Sequence, residues 1–303
     1  MAVPSLSLHP QGPVCSRIAL GMWRLAEWNM APADLLRLIH AALDLGITTI
    51  DHADIYGGYT CEGLFGAALR SEPALRQRMQ LVSKCGIKLI TPNRPRHTIK
   101  HYDTSSAHIV ASVDTSLREL GTDYLDLLLI HRPDPFMDAD DTAAGLSSVI
   151  EAGKVRHVGV SNFTPSQFDL LASRLSVPLV TNQIEISVLR LEPFLDGTLD
   201  QCQRLGIAPM AWSPLGGGAL FRPADERGQG LQRALQAVGA ELGGASLDQV
   251  ALAWLLAHPA RIQPVLGTGS AERVRSAAAA SELRLSREQW FAIWTAAAGQ
   301  EVP

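Results

Sequence analysis

Lysine is scarce in this chain: of 26 basic residues only Lys84, Lys88, Lys100 and Lys154 are lysine, and the rest are arginine. A compact amine at the end of an apolar run therefore asks for an explanation, because Lys has a tunable pKa and Arg effectively does not. Cysteine is sparse as well. Cys15, Cys61, Cys85 and Cys202 stand apart with no CxxC spacing, which argues against a disulfide scaffold and a thiolate zinc site and leaves free thiols. No HxH or HExxH occurs among the nine histidines, so no metal is expected. The longest strongly apolar stretch, Val250 to Ala257, is far too short for a bilayer, and the opening MAVPSLSLHPQGP has no basic region followed by an apolar one. A cytoplasmic location is the expectation. A net charge of −4 over 303 residues lacks the basic footprint of a nucleic-acid or anionic-membrane binder, so a small molecule is the expected partner.

What is present is an alternation of short β-rich runs with amphipathic helical ones. Strands are predicted at Arg17 to Leu20, Thr48 to Asp51, Gln80 to Lys84, Leu125 to His131, Val155 to Val160, Leu179 to Asn182, Ala208 to Trp212 and Ile262 to Leu266. Helical patterns lie between them at Ala33 to Leu45, Glu62 to Arg70, Ser106 to Leu120, Thr142 to Ala152, Pro165 to Leu175, Thr198 to Leu205, Gly230 to Leu242 and Leu247 to His258, with Ser286 to Ala298 as a terminal extra. A small hairpin precedes the first strand. Eight βα units in about 250 residues suit an α/β fold of the (β/α)8 TIM-barrel type, one domain over residues 1–303. The alternative is an open doubly wound sheet, against which stands the absence of GxGxxG after the first strand and of GxxxxGK[ST] anywhere.

Three of these runs end on ionisable residues: GITTID on Asp51, QLVSK on Lys84 and LDLLLIH on His131, with Tyr56 five residues past Asp51. Packing does not require a carboxylate, an amine and an imidazole where buried strands stop. Parallel strands would bring them together at the carboxyl edge, where α/β proteins place active sites. Each residue alone has a plainer reading: Asp51 a cap or ion-pair partner, Tyr56 a pocket wall, His131 a satisfied core histidine. The remaining strand ends carry Ser161, then Asn162 and Gln183, whose side-chain amides suit a planar carboxamide, and Trp212, which offers a flat face. Trp212 is followed by Ser213, Pro214, Leu215 and Gly216, and the last strand by Gly267, Thr268, Gly269 and then Arg273. These glycine-rich turns before helices look like phosphate cradles, with Arg273 as a clamp.

Together, IDHADIY, LVSKCGI, LDLLLIHRPD, GVSNF, NQIE and AWSPLG resemble the aldo-keto reductase superfamily, and nearer to its bacterial oxidoreductase-type members; the resemblance covers nearly the whole chain. It implies a catalytic tetrad of Asp51, Tyr56, Lys84 and His131. Tyr56 would donate a proton to the carbonyl oxygen, Lys84 would lower its pKa, Asp51 would hold Lys84 charged and His131 would steer the oxygen. It further implies cofactor contacts from Gly21, Met22 and Trp23, from Ser161, Asn162 and Gln183, from Trp212 to Gly216 and from Gly267 to Gly269 with Arg273. Where many family members carry a lysine for the 2′-phosphate, this chain has Gly267, and where an adenine-contacting Asn often stands it has Ala277. Arg273 and Thr268 remain suited to a 2′-phosphate, so NADP(H) is favoured over NAD(H).

The function implied is reduction of small aldehydes or ketones by a monomer or weak oligomer. The loops Lys88 to Thr104 and Gly216 to Gly228 are long enough to shape a substrate pocket, and Arg132, Tyr59, Tyr102, Phe221 and Arg222 are candidates for its walls. Two rivals are a nucleotide-binding regulatory or redox-sensing barrel with little turnover, and a phosphate-binding isomerase or lyase.

Overall fold

In a computed structural model that describes residues 2–302, eight parallel strands close into a barrel. They are β1 (Ala19–Gly21), β2 (Thr49–Asp51), β3 (Gln80–Cys85), β4 (Leu125–Ile130), β5 (Val155–Ser161), β6 (Leu179–Glu185), β7 (Met210–Trp212) and β8 (Gln263–Leu266). Each strand pairs with its neighbour in sequence, and β8 returns to β1 through Val265 opposite Ala19. All eight overlap the strands expected from the sequence, and the open-sheet alternative is excluded by this closure.

The pleat decides what reaches the mouth. Successive side chains on a strand point to opposite faces. In β4, Leu127 and Leu129 join the interior cluster with Ala19, Val82, Met210 and Val265, while Leu128 and Ile130 join the outer cluster beneath the helices. His131 continues the inward phase of Leu127 and Leu129, and Lys84 that of Val82. Strand β6 breaks this phase: its register on β5 shifts between Leu179 and Asn182. Val180 belongs to the interior cluster and Gln183 also reaches the interior, which strict alternation forbids for residues three apart. The irregularity is invisible in the sequence pattern.

Helices Pro32–Asp44, Cys61–Ser71, Ser106–Leu120, Ala139–Glu151, Pro165–Ala172 and Thr198–Leu205 follow β1 to β6 in turn. Two helices follow β7, Glu226–Glu241 and Leu247–Leu256, and Ala271–Ala279 and Arg287–Ala298 follow β8. Two begin earlier than their apolar pattern suggests, because a cap rather than the first apolar residue sets the start. Asp138 accepts from the Asp140 and Asp141 amides, and Asp225 from that of Gly228. No helix among the described residues is long and apolar enough to cross a membrane.

The expected hairpin pairs Ser5–Ser7 with Val14–Ser16, and its Leu6, Leu8 and Cys15 pack into the interior cluster. Ala208, just before β7, donates its amide to Leu8 at 2.8 Å, so the hairpin closes the amino end of the barrel and leaves the carboxyl end for chemistry. The loop after β3 is not bare: Ile87–Lys88 pairs antiparallel with His101–Tyr102. At the far side, Trp254 of the second helix after β7 stacks on Trp290 of the terminal helix, ring centroids 4.7 Å apart. Each indole N–H donates to the other residue's carbonyl, at 3.0 and 3.1 Å.

The tightest helix contact is at Gly66, where an added Cβ would lie 2.0 Å from the Glu119 carbonyl oxygen. Neither backbone can yield without parting helices Cys61–Ser71 and Ser106–Leu120. Gly66→Ala is expected to cost about 3 kcal/mol, at the upper end of ordinary overpacking, read as a lowered urea midpoint at unchanged slope; a wild-type midpoint would show that the two helices slide freely.

Candidate active site

The ends of β2 and β3 are adjacent in the barrel, and there the Lys84 ammonium meets the Asp51 carboxylate, with Nζ 2.8 Å from both oxygens. Nζ also donates to the His52 carbonyl at 2.7 Å and to the Tyr56 hydroxyl at 3.1 Å. Lys84 is 1% and Asp51 3% exposed, so the pair is sealed from water on the barrel side. Burial alone would push the Lys84 amine down; Asp51, then Tyr56, outweigh it, and the pKa lies above its ordinary value. The amine is therefore charged at neutral pH.

An ammonium has only donors. The Tyr56 oxygen must accept from Lys84, which leaves its own proton directed elsewhere. Burial is the largest influence on that phenol and raises its pKa, Lys84 pulls it back, and the net direction is upward. Lys84 lowers the value as expected, but it offsets only part of a desolvation that dominates, and the resting phenol keeps its proton.

His131, at the end of β4, places its ring 5.9 Å from the Tyr56 ring, edge to face. Burial, reinforced by the positive charges of Lys84 and Arg132, holds its pKa well below the ordinary value, so the imidazole is neutral. Its Nδ1 is buried without a partner. Tyr56, Lys84, Asp51 and His131 thus converge as the sequence suggested.

The amides are positioned through the same carboxylate. Gln183 Nε2 donates to Asp51 Oδ1 at 2.8 Å, which leaves Oε1 as an acceptor that no group among the described residues engages. Ser161 Oγ donates to the Gln183 carbonyl at 2.8 Å. Asn162, in the left-handed region, donates through Nδ2 to Ser161 Oγ and the His131 carbonyl, and accepts the Trp212 indole N–H at 2.9 Å on Oδ1. Trp212 is thereby held over the ends of β5 and β6.

The remaining candidates form the rim. Gly21 has no room for a side chain, since a Cβ would lie 2.9 Å from the Leu266 carbonyl, and Met22 is fully buried with its amide on the Asp51 carbonyl. Trp23 is 55% exposed. After β7, Ser213 also takes a left-handed conformation, its carbonyl accepting the Gly216 amide at 2.8 Å, with Pro214 buried and Leu215 partly so. After β8, Gly267 is open on all sides. A Cβ at Gly269 would strike Trp28 at 2.7 Å and Met30 at 2.8 Å. Thr268 Oγ1 accepts the Ser270 amide, and Ser270 in turn caps the Arg273 amide of the next helix. Arg273 is exposed and has no ion-pair partner among the described residues.

Sequence reasoning missed the cluster behind the tetrad. Asp54 and Glu62 are buried, held by Ser112 at 2.8 Å and Ser83 at 2.5 Å respectively. The Asp54 amide donates to the Lys84 carbonyl at 3.0 Å, tying this cluster to the strand that carries the amine. Desolvation, joined by mutual repulsion, pushes Asp54 up to about 8; desolvation pushes Glu62 up to about 7. Glu62 stands in CEGLFGAAL at the start of a helix, where a glutamate reads as an ordinary first-turn acid. Only its inward side on that helix would have given a signal. The four cysteines are all buried.

Glu62 ordinarily titrates at 4.5 but in the folded chain at about 7, so between those values the native state holds a proton that the unfolded state has released. Its contribution to stability therefore falls as pH rises through that window, by at most about 1.4 kcal/mol per pH unit for one group, and levels off above it, while Asp54, pushed up to about 8, extends the same decline. Glu62→Gln is expected to flatten this decline in denaturation midpoints measured across the window; an unchanged slope would assign the proton to another group.

The Aldo/keto reductase family profile matches residues 17–297. The oxidoreductase YdhF of Escherichia coli (strain K12) is 52% identical over 301 residues, covering 99% of this chain and 100% of that protein. The 6-dehydroglucose reductase of Agrobacterium fabrum is 49% identical over 288 residues, covering 95% and 96%. The crystal structure of an aldo/keto reductase from Klebsiella pneumoniae in complex with NADP and acetate aligns with a TM-score of 0.74 at 27% identity, over 91% of this chain and 89% of that one. Matched along nearly its whole length and carrying the converging Asp, Tyr, Lys and His, this chain is an oxidoreductase that belongs to the aldo/keto reductase family.

Proposed function

We propose that this protein reduces the carbonyl group of aldehydes or ketones at Tyr56, with NADP(H) as the preferred cofactor. The observation that carries the proposal is the buried Lys84 ammonium, charged by Asp51 and donating to the Tyr56 oxygen at 3.1 Å. That hydrogen bond directs the phenol proton away from Lys84, toward a substrate oxygen. As negative charge develops on that oxygen and the proton leaves Tyr56, the fixed ammonium stabilises the phenolate that forms. Neutral His131 supplies a second hydrogen-bonding group for the same oxygen. Each preorganised donor of this kind is worth about 3 kcal/mol.

The residues present fit a nicotinamide cofactor. Gln183 offers an unengaged Oε1 for a carboxamide N–H, Trp212 offers a flat face, and Gly267, Thr268 and Arg273 offer an open, unpaired corner for a phosphate. When bound, the reduced cofactor supplies the hydride. Arg273 is the group on this corner suited to a 2′-phosphate, since Gly267 brings no side chain. All these residues come from one chain, so the reading requires no second copy. The 6-dehydroglucose reductase relative places aldehydes of sugars in the first substrate panel.

Tyr56→Phe is expected to lower kcat by about 10³, within the usual span for loss of a general acid, while NADPH binding followed by fluorescence changes little. Retained turnover would remove Tyr56 as the acid. Arg273→Ala is expected to weaken NADPH about tenfold, the loss of one charge-assisted contact, and to leave NADH nearly unchanged. Equal weakening of both would place the 2′-phosphate elsewhere.

A further inference from the structure

We propose that Arg132 is an anion clamp in the substrate pocket, and that the carbonyl compounds this site favours carry an oxoanion, a carboxylate or a phosphate. The proposal rests on the reductase reading and adds the substrate class to it.

Arg132 directly follows His131 at the end of β4, and its guanidinium lies over the Trp212 ring at 5.5 Å. Trp212 donates to Asn162, and Asn162 donates to the His131 carbonyl. The peptide from His131 to Arg132 closes this circuit, and the guanidinium packs against the Trp212 ring at its head. It is half-buried, yet among the described residues no carboxylate pairs with it and no acceptor takes its N–H groups.

Another arginine of this chain shows what a structural guanidinium looks like. Arg76 also lies over an aromatic ring, that of Tyr124 at 3.9 Å, but Asp126 neutralises it at 2.8 Å and the Tyr124 and Met79 carbonyls take its other donors. Arg132 has the stack without the partner. Its donors are left free for a ligand, and the planar fork matches a carboxylate or phosphate in two parallel hydrogen bonds. The phosphates of the cofactor are not that ligand in this reading. Of their candidate groups, the turn Ser213 to Gly216 after β7 and Thr268 and Arg273 after β8, the one charged side chain is Arg273, and β8 lies across the closed barrel from β4.

Matched substrates test this with NADPH: 4-formylbenzoate against its methyl ester, and glyceraldehyde 3-phosphate against glyceraldehyde. The expected kcat/KM favours the charged member of at least one pair by about tenfold, a typical gain from a charge-assisted bidentate contact. The pair showing the preference identifies carboxylate or phosphate as the source. The preference resides in KM, shrinks toward unity in Arg132→Leu and with added salt, and survives in part in Arg132→Lys. No preference in either pair, or one that Arg132→Leu leaves intact, overturns the proposal.

Equilibrium binding separates this from failure of the reductase reading. Benzoate and benzamide are titrated into the protein by tryptophan fluorescence. Benzoate binding that Arg132→Leu abolishes upholds the clamp even if no carbonyl is reduced. Turnover of neutral aldehydes with benzoate binding independent of Arg132 overturns the clamp and leaves the reductase standing.

Discussion

The ion pair of Lys84 and Asp51 is the interaction on which the rest of the site depends. Two opposite charges at 2.8 Å, almost without solvent, are costly to desolvate and strongly attracted once desolvated. Such a pair adds little net stability, but removing one partner strands the other, at about 3–5 kcal/mol. Much of the candidate site is hung from it. Lys84 orients the Tyr56 oxygen, Asp51 fixes the amide of Gln183, and the His52 carbonyl ties the amine to the end of β2. The barrel is therefore most stiffly specified where its polar groups are least solvated. A shift in register of β2 against β3 would break packing and chemistry together.

Behind that pair lies a second polar layer with the opposite character. Asp54 and Glu62 are buried beside serines instead of cations, and their raised pKa values mean that near neutrality they are only partly ionised. Lys84 thus has one fixed counterion in front and a titrating one behind. His52, also fully buried and with neither ring nitrogen bonded, is driven down to about 3 and adds no positive charge between the two layers.

The barrel was legible because buried parallel strands announce themselves as short apolar runs between amphipathic helices, and the tetrad because Asp51, Lys84 and His131 interrupt that pattern. Other features were not. The register shift in β6, which turns Gln183 inward, leaves no trace in a hydrophobic pattern whose neighbours are all buried. Helix starts at Ala139 and Glu226 were set by Asp138 and Asp225, since polar caps precede the first apolar residue. Glu62 and Ser83 look like solvent-facing residues until the fold presses one against the other. The net direction of the Tyr56 shift was not legible, because burial, which a sequence does not show, exceeds the lowering that Lys84 contributes. Contacts decided by a pleat or a motif could be read in advance; those decided by how deeply a polar group sinks could not.

The stacked indoles of Trp254 and Trp290 have a spectroscopic consequence. Two near-parallel chromophores with centroids 4.7 Å apart and planes inclined by 9° share their excited states, and Trp294 extends the stack. Such coupling gives circular dichroism its own exciton band, whose intensity depends on mutual ring geometry and vanishes when the rings part. Trp212 lies outside this array, so its emission follows events at the mouth while the dichroic band follows docking of the terminal helix. The molecule carries two optical clocks, one for the pocket and one for the closing of the fold.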